Sequence, residues 1–319
     1  MKSIRPIFPE IRREWRWMLT SSTAVVLLLA AVTFATLSTM ASVSSATAAV
    51  DQFNLTLNAY RTDGESVEDA IRAPSTVTSS IGKQIISNSL RYDLESATAA
   101  KTQLHGAGAV NAAISASAFV FFPLVGYILG VFLATHDVKS GSITFRWPRS
   151  GLRPFWASKL VVGCTAMAIL TALTALLAWV ATLGAAIWKA PFHEYSDVVV
   201  FQAPSLATTG LLLVLASFIG CVFLALGFLL GSVTRERTFT VAAFAIAYYL
   251  LPIFSALDPR NLMPMSGIGT FYFVGQFQPS AIGGGNVGLG IAGLAALALL
   301  CAALSILAWK FRSRVAGRL

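Results

Sequence analysis

Charged side chains are scarce in this chain. They make up 12% of its 319 residues, whereas soluble domains carry about 25%. Several apolar runs of about 20 residues contain no charged residue, which is the length that a helix needs to cross a bilayer. This scarcity excludes an ordinary soluble protein. It predicts one all-α polytopic membrane domain over residues 1–319.

The residue types that build catalytic or metal sites are also few. The three cysteines lie inside predicted spans, and the three histidines lack the spacing of a metal site: Cys164, Cys221, Cys301, His105, His136 and His193. The phosphate-binding pattern G-x-x-x-x-G-K-[ST] is absent. These absences predict a chain that is not an enzyme and that holds no cofactor or metal of its own.

Ionisable residues are missing from the central part of every predicted span. Carriers that are driven by protons or sodium commonly place such residues there, because the coupling ion needs a polar partner. We therefore expect the energy for any uphill transport to enter from outside the bilayer. An ion-coupled secondary carrier is the alternative that this absence disfavours.

Six apolar runs predict six transmembrane helices, at about residues 18–43, 109–134, 160–187, 206–231, 239–254 and 287–309. Small residues recur four apart at Gly126 and Gly130, and again at Gly227 and Gly231. Such pairs are typical of closely packed membrane helices. Pro123 is expected to kink the second span.

Three further segments flank these spans. Residues 1–17 alternate arginines with apolar residues at helical spacing, which predicts an interfacial elbow helix. Residues 44–108 are polar and acidic, and steps of four such as Val77, Ile81 and Ile85 predict an extracytoplasmic helical hairpin. Residues 256–286 are apolar but too short to span, which predicts an extracytoplasmic or re-entrant segment.

Basic residues are distributed unequally between the two faces that this topology defines. Sixteen of the 23 Lys and Arg, but only four of the 14 acids, fall in the termini, the loop at residues 136–159 and the turn after the fourth span. Lys and Arg are retained on the cytoplasmic side of a membrane. The distribution predicts a multi-pass protein of the cell membrane with both termini in the cytoplasm. It leaves no soluble basic face for nucleic acid.

The loop at residues 136–159 concentrates cations between two apolar runs. It carries Lys139, Arg146, Arg149, Arg153 and Lys159 against a single acid, Asp137. We expect a short helix near residues 142–149 of this loop, which Pro148 and Pro154 also interrupt. A plain connector that obeys the positive-inside rule is the alternative interpretation.

The arrangement resembles the permease subunit of ABC-2 type exporters. The resemblance rests on the elbow, the six spans, and a loop with an acid, a Ser-Gly-Thr-like triplet, a proline followed by basic residues, and a Gly-Lys-like pair: Asp137, Ser140, Gly141, Ser142, Pro148, Arg149, Arg153, Ser158 and Lys159. The turn from Gly231 to Arg235 is also similar. Asp137 replaces the more usual Glu, and Ser158 replaces the more usual Gly.

The resemblance implies two permease subunits, as a homodimer or heterodimer in the lipid bilayer, above two separate ATP-binding subunits that hold ATP and Mg. Contacts to those subunits are expected at Asp137, Ser140, Gly141, Phe145, Arg146, Trp147 and Arg149, with further cytoplasmic contacts at Arg235 and Arg237. The expected substrate is hydrophobic or amphipathic, such as a lipid, a peptide antibiotic or a drug. The alternative is a non-transporting assembly or immunity subunit that binds a partner through its external hairpin.

Overall fold

The computed structural model of the protein describes residues 7–80, 83–104, 106–185, 195, 204–253, 255, 257–271 and 286–316. Residues 1–6 of the predicted elbow, His105, His193 and residues 272–285 of the predicted re-entrant segment lie outside this description. The elements in chain order are α1 (Phe8–Thr20), α2 (Ser22–Thr62), α3 (Val67–Arg72), β1 (Val77–Ser80), β2 (Lys83–Ile86), α4 (Ser89–Thr102), α5 (Gly106–Lys139), α6 (Ile143–Ser150), α7 (Leu152–Ala185), α8 (Leu206–Thr234), α9 (Arg237–Tyr249), α10 (Pro259–Ser266) and α11 (Val287–Ala316).

Five of the described helices, α2, α5, α7, α8 and α11, are long and apolar enough to cross a membrane. The predicted helical, multi-pass architecture is confirmed at this level. The helices α8 and α11 begin at Leu206 and Val287, as predicted. The helix α7 begins at Leu152, about two turns earlier than expected, so that Lys159 lies inside the helix and not in the loop before it.

The predicted span at residues 239–254 does not correspond to a helix of spanning length. Here α9 has 13 residues, and it rises about 20 Å at 1.5 Å per residue. A bilayer core is about 30 Å thick. The helix ends at Tyr249, and Pro252 follows within three residues, where it prevents further helix. Six spanning helices are therefore not confirmed among the described residues.

The helix α5 is the centre of the bundle and packs most extensively against α8. A Cβ atom added to Gly126 would collide with the carbonyl of Gly220, and one added to Gly130 would collide with that of Leu224. In the same way, a Cβ on Gly227 would meet the carbonyl of Tyr127. Close approach of the two backbones maximises van der Waals contact, which drives helix association in a membrane. The predicted packing role of these glycines is confirmed.

Tyrosine hydroxyls join α9 to α5. Pro123 has no N–H to offer the carbonyl of Phe119 four residues earlier, and the hydroxyl of Tyr248 donates to that carbonyl at 2.6 Å. The hydroxyl of Tyr249 donates to the carbonyl of Val120, also at 2.6 Å. An apolar environment makes an unsatisfied carbonyl costly. The bond from Tyr248 therefore holds α9 where α5 needs a donor.

Arg260, at the start of α10, caps the C-terminal end of α9, next to these tyrosines. Its guanidinium donates to the carbonyls of Tyr248, Leu251 and Pro252 at 3.1, 2.5 and 2.8 Å. Asp258 accepts from the same guanidinium at 2.6 Å. The last carbonyls of a helix have no partner within it, and a cation next to them is favoured by the helix dipole. The sequence analysis did not identify this cap.

The insertion between α2 and α5 has a small core of its own. The helix α2 continues well past the predicted span, and it packs on α4 through a buried apolar cluster: Val50, Phe53, Leu57, Ile71, Leu90, Leu94 and Ala97. The predicted helix at Val77–Ile86 is wrong, because β1 and β2 form an antiparallel ribbon there. Thr and Ser in the run favour strand over helix.

The start of α7 and the last turns of α8 and α11 meet the helix α1 at one end of the bundle. Near the last turns of α11, the indole of Trp309 donates to Ser232 of α8 at 2.9 Å, and its ring contacts Phe155 of α7. Phe155 in turn lies beneath Arg146 and Lys159, which bind Glu14 of α1. The described ends of α1 and α11 are therefore on the same side of the bundle.

Candidate functional site

A short helix, α6 (Ile143–Ser150), occupies the centre of the basic loop. Gly141 and Gly151 flank it with φ angles of 70° and 81°, a conformation that glycine adopts without steric cost. These residues let the chain turn from α5 into α6 and from α6 into α7. The short helix expected near residues 142–149 is confirmed.

Arg146 of α6 binds three carboxylates on two other helices. Its Nη1 donates to Asp137 at 2.6 Å, and its Nη2 donates to Glu14 at 2.6 Å and to Glu10 at 2.8 Å. Burial lowers the pKa of Arg146. The hydrogen bond to Glu10 and the charges of Glu14 and Asp137 raise it by more, so the pKa lies above its ordinary value. The guanidinium stays charged and ties α6 to α1 and α5.

Lys159 of α7 is the second buried cation of this network. Its side chain has no exposed surface, and Nζ lies 2.5 Å from Oδ2 of Asp137 and 3.3 Å from Oε1 of Glu14. The ammonium also lies 4.9 Å from the centre of the Phe155 ring, within the range of a cation–π contact. Burying these charges costs several kcal/mol per ion, which only close pairing offsets. We therefore expect that the loss of any single partner destabilises the network.

His136 completes the cluster beside Asp137. Its Nε2 lies 3.2 Å from Oδ2 of Asp137, and its ring stacks on Trp17 of α1 with centres 3.9 Å apart. Glu14, His136 and Asp137 offer ligand atoms within 4.8 Å of one another. However, the ammonium of Lys159 already supplies the positive charge that a metal ion would bring to these carboxylates. The arrangement fits an ion-pair network and does not fit a metal centre.

The predicted contact residues divide into an inner and an outer set. Asp137 and Arg146 are engaged within the chain, as described above. Phe145 is 70% exposed, and Ser140, Gly141 and Arg149 are also exposed. The side chain of Trp147 lies outside the described part of the structure. We call the exposed surface of Ser140, Gly141, Phe145 and Arg149 the outer face of α6.

The two predicted contacts after α8 also differ from each other. Arg235 ends α8 with a φ of 61° and is exposed. Arg237 begins α9, and its Nε donates to the hydroxyl of Thr135 at 2.8 Å while its guanidinium lies over the ring of Phe132. Arg237 therefore attaches α9 to α5, and Arg235 is the one that is accessible.

Glu14 was not predicted as a site residue from the sequence, and Lys159 was expected at a span boundary. A signal for Glu14 was present, because it lies on the apolar face of α1 between Ile11 and Met18 at helical spacing. A charged residue at such a position indicates a buried partner. The partner itself is 145 residues away, and no local pattern identifies it.

No protein-family model matches this chain, and no curated protein matches it significantly. The functional argument therefore depends on the geometry of α6 and its surroundings.

Proposed function

We propose that this chain is the membrane-spanning permease subunit of an ATP-driven exporter of the ABC-2 type. The observation that carries the proposal is α6, a short helix at the end of two spans with an aromatic and basic outer face. Its inner face is bound to α1 and α5 through Arg146, whose guanidinium also lies over the ring of Phe155 of α7. A force applied to α6 by a bound subunit would therefore reach three helices directly.

In this proposal α9 and the segment after it complete a sixth crossing. The contacts of Tyr248 and Arg237 place α9 along α5, starting from the end of the bundle that holds the ion-pair network. The segment then leads through α10 to α11, whose last turns return to the same end. Both termini are then cytoplasmic, as the distribution of basic residues predicts.

A hydrophobic or amphipathic substrate is the class that the described interior suits best. A groove of about 450 Å³ follows α9 and is lined mainly by apolar side chains, with Asp258 and Arg260 at one end. In this proposal two copies of the chain, or this chain and a similar one, form the pathway. ATP and Mg are bound by the separate ATP-binding subunits.

The test is purification of the tagged protein from membranes of its native host in a mild detergent. We expect a subunit with Walker and signature motifs to copurify with the wild-type chain. The double variant Phe145→Ala/Trp147→Ala should lose that subunit, because truncating a central interface aromatic costs about 2 kcal/mol or more, roughly thirtyfold in affinity. Phe8→Ala is the control, since Phe8 is 78% exposed on α1.

Three outcomes would count against the proposal. The first is that no ATP-binding subunit copurifies. The second is that the double variant keeps both this subunit and full transport. The third is transport that stops when a protonophore is added at constant ATP, which would favour the ion-coupled carrier. A partner that binds only through the insertion core would favour the assembly subunit instead.

A further inference from the structure

A basic pocket lies between α1 and α6, and it shares Ser140, Phe145 and Arg149 with the outer face that carries the proposed function. It has a volume of about 440 Å³, and its lining includes Arg13, Arg146, Arg149, Ser140, Ser142 and Trp17. Arg13 comes from α1, whereas Arg146 and Arg149 come from α6. The pocket therefore exists only because the ion-pair network holds these two helices together.

The charges around the pocket leave one positive charge in excess. Glu10, Glu14 and Asp137 face three cations, which are Arg146, Lys159 and Arg13. Arg13 is the most weakly held of them, because its distance to Glu10 is 3.6 Å and its side chain is 60% exposed. Arg149 is exposed, and no acidic partner is found for it among the described residues. An anion with a single charge would neutralise the pocket.

The position of the pocket indicates where such an anion would come from. The pocket opens beside the last turn of α5, where a candidate span ends. Large apolar side chains on its two helices are exposed, including Phe8 and Leu19 on α1 and Phe145 on α6, which lines the pocket. Basic side chains next to exposed apolar residues and a Trp are typical of a surface at the headgroup level of a bilayer.

We propose that this pocket binds the phosphodiester group of an anionic phospholipid in the adjacent leaflet. Arginine is suited to this role because its planar guanidinium donates two parallel hydrogen bonds to phosphate oxygens. A phosphodiester carries one negative charge, which matches the excess at the pocket. The bound lipid would bridge α1 and α6 through Arg13 and Arg149, and would hold α6 in the position that the ion-pair network gives it.

The test uses the purified chain alone, so its result does not depend on any ATP-binding subunit. Native mass spectrometry would measure retention of phosphatidylglycerol against phosphatidylcholine after delipidation and reloading. In the double variant Arg13→Gln/Arg149→Gln we expect retention of phosphatidylglycerol to fall about a hundredfold or more, since each lost charged hydrogen bond weakens binding about tenfold or more. The control Arg12→Gln/Arg153→Gln removes the same charge at exposed positions that do not line the pocket.

Each result decides a part of the proposal. Loss of phosphatidylglycerol in the pocket variant alone, with an unchanged melting temperature, supports it. Competition by soluble glycerol phosphate or inorganic phosphate at millimolar concentration would confirm a phosphate site and assign it to a soluble ligand. Equal retention by the pocket variant and the control, or no preference for phosphatidylglycerol over phosphatidylcholine in the wild type, would overturn the proposal.

Discussion

Lys159 shows at the scale of one residue how a membrane protein can bury a charge. Its aliphatic stem lies inside α7, and its ammonium reaches two carboxylates from α1 and α5. Removal of one partner of a buried pair leaves the other charge without compensation, which costs about 3–5 kcal/mol. The same cost applies to the loss of a partner of Arg146, which is paired with three carboxylates.

We predict that Lys159→Met lowers the free energy of unfolding in detergent by about 3–5 kcal/mol. The side chains have similar length, so the loss reports the charge and not a cavity. Lys139→Met is the control, because Lys139 is 45% exposed and lies 3.8 Å from a mostly exposed Glu236. Surface pairs of this kind contribute at most about 1 kcal/mol.

Titration of unfolding with sodium dodecyl sulfate would measure both variants. The double variant Lys159→Met/Asp137→Asn should recover part of the lost stability, because it removes one of the two carboxylates that lose the ammonium of Lys159. Equal effects of Lys159→Met and Lys139→Met would show that the network around Asp137 contributes no more than a surface pair.

The attachment of α9 to α5 shows that a whole helix, like a single side chain, needs partners for its polar groups in an apolar environment. Pro123 leaves the carbonyl of Phe119 without its helical donor, and Tyr248 of α9 supplies the missing hydrogen bond. At the same end of α9, Arg260 donates to the last carbonyls. The helix α9 has only 13 residues and is too short to span, but it can stay among apolar neighbours. Arg260 satisfies the carbonyls at its end, and its own Tyr248 satisfies a carbonyl of α5.

We predict that Tyr248→Phe destabilises the protein by about 1–3 kcal/mol, the cost of a buried acceptor left without a donor. In a Pro123→Ala background the same substitution should cost less, because the new backbone N–H at position 123 can donate to Phe119. The expected coupling in this double-mutant cycle is at least about 0.5 kcal/mol.

Tyr249→Phe provides the matched comparison, since Tyr249 donates to Val120 and the residue four positions after Val120 has its own N–H. Its cost should change little when Pro123 is replaced. If Tyr248→Phe and Pro123→Ala were strictly additive, the hydroxyl of Tyr248 would not be substituting for the missing N–H.

At the scale of the whole molecule, the described ends of α1 and α11 lie at the end of the bundle that holds the ion-pair network. Trp309 reaches Ser232 there, and Phe155 links it to Arg146 and Lys159. With five crossings the chain would end on the opposite side of the membrane from its start. An even number of crossings reconciles the positions of α1 and α11.

We predict that single cysteines introduced at Glu65 and Ser313 label from opposite sides of the membrane. The background for this experiment lacks Cys164, Cys221 and Cys301, each replaced by Ala. A membrane-impermeant maleimide on intact cells should modify position 65 only. Ser140→Cys is the control for the inner side, because Ser140 is exposed next to α6. Modification of positions 65 and 313 from the same side would rule out an even number of crossings.

The amino-acid sequence alone is sufficient to predict the long helices that can cross a bilayer. The runs that form α5, α8 and α11 contain almost no charge over more than 20 residues, and an apolar solvent leaves the backbone no alternative to a helix with internal hydrogen bonds. The short helix α6 was expected within the basic loop, and Gly141 and Gly151 flank it there. These signals are local, so they can be recognised without knowing which segments of the chain pack together.

Tertiary structure decided which polar residues are buried and what they bind. Glu14 and Lys159 pair across 145 positions, and only the packing of α1 against α7 brings them together. The segment Val77–Ile86 fits both a helical step of four and a strand, and pairing of β1 with β2 selects the strand. The division of α6 into an inner and an outer face follows likewise from its contacts with α1 and α5. The local sequence around a basic side chain in a loop does not show whether that side chain binds a buried acid or lies in solvent.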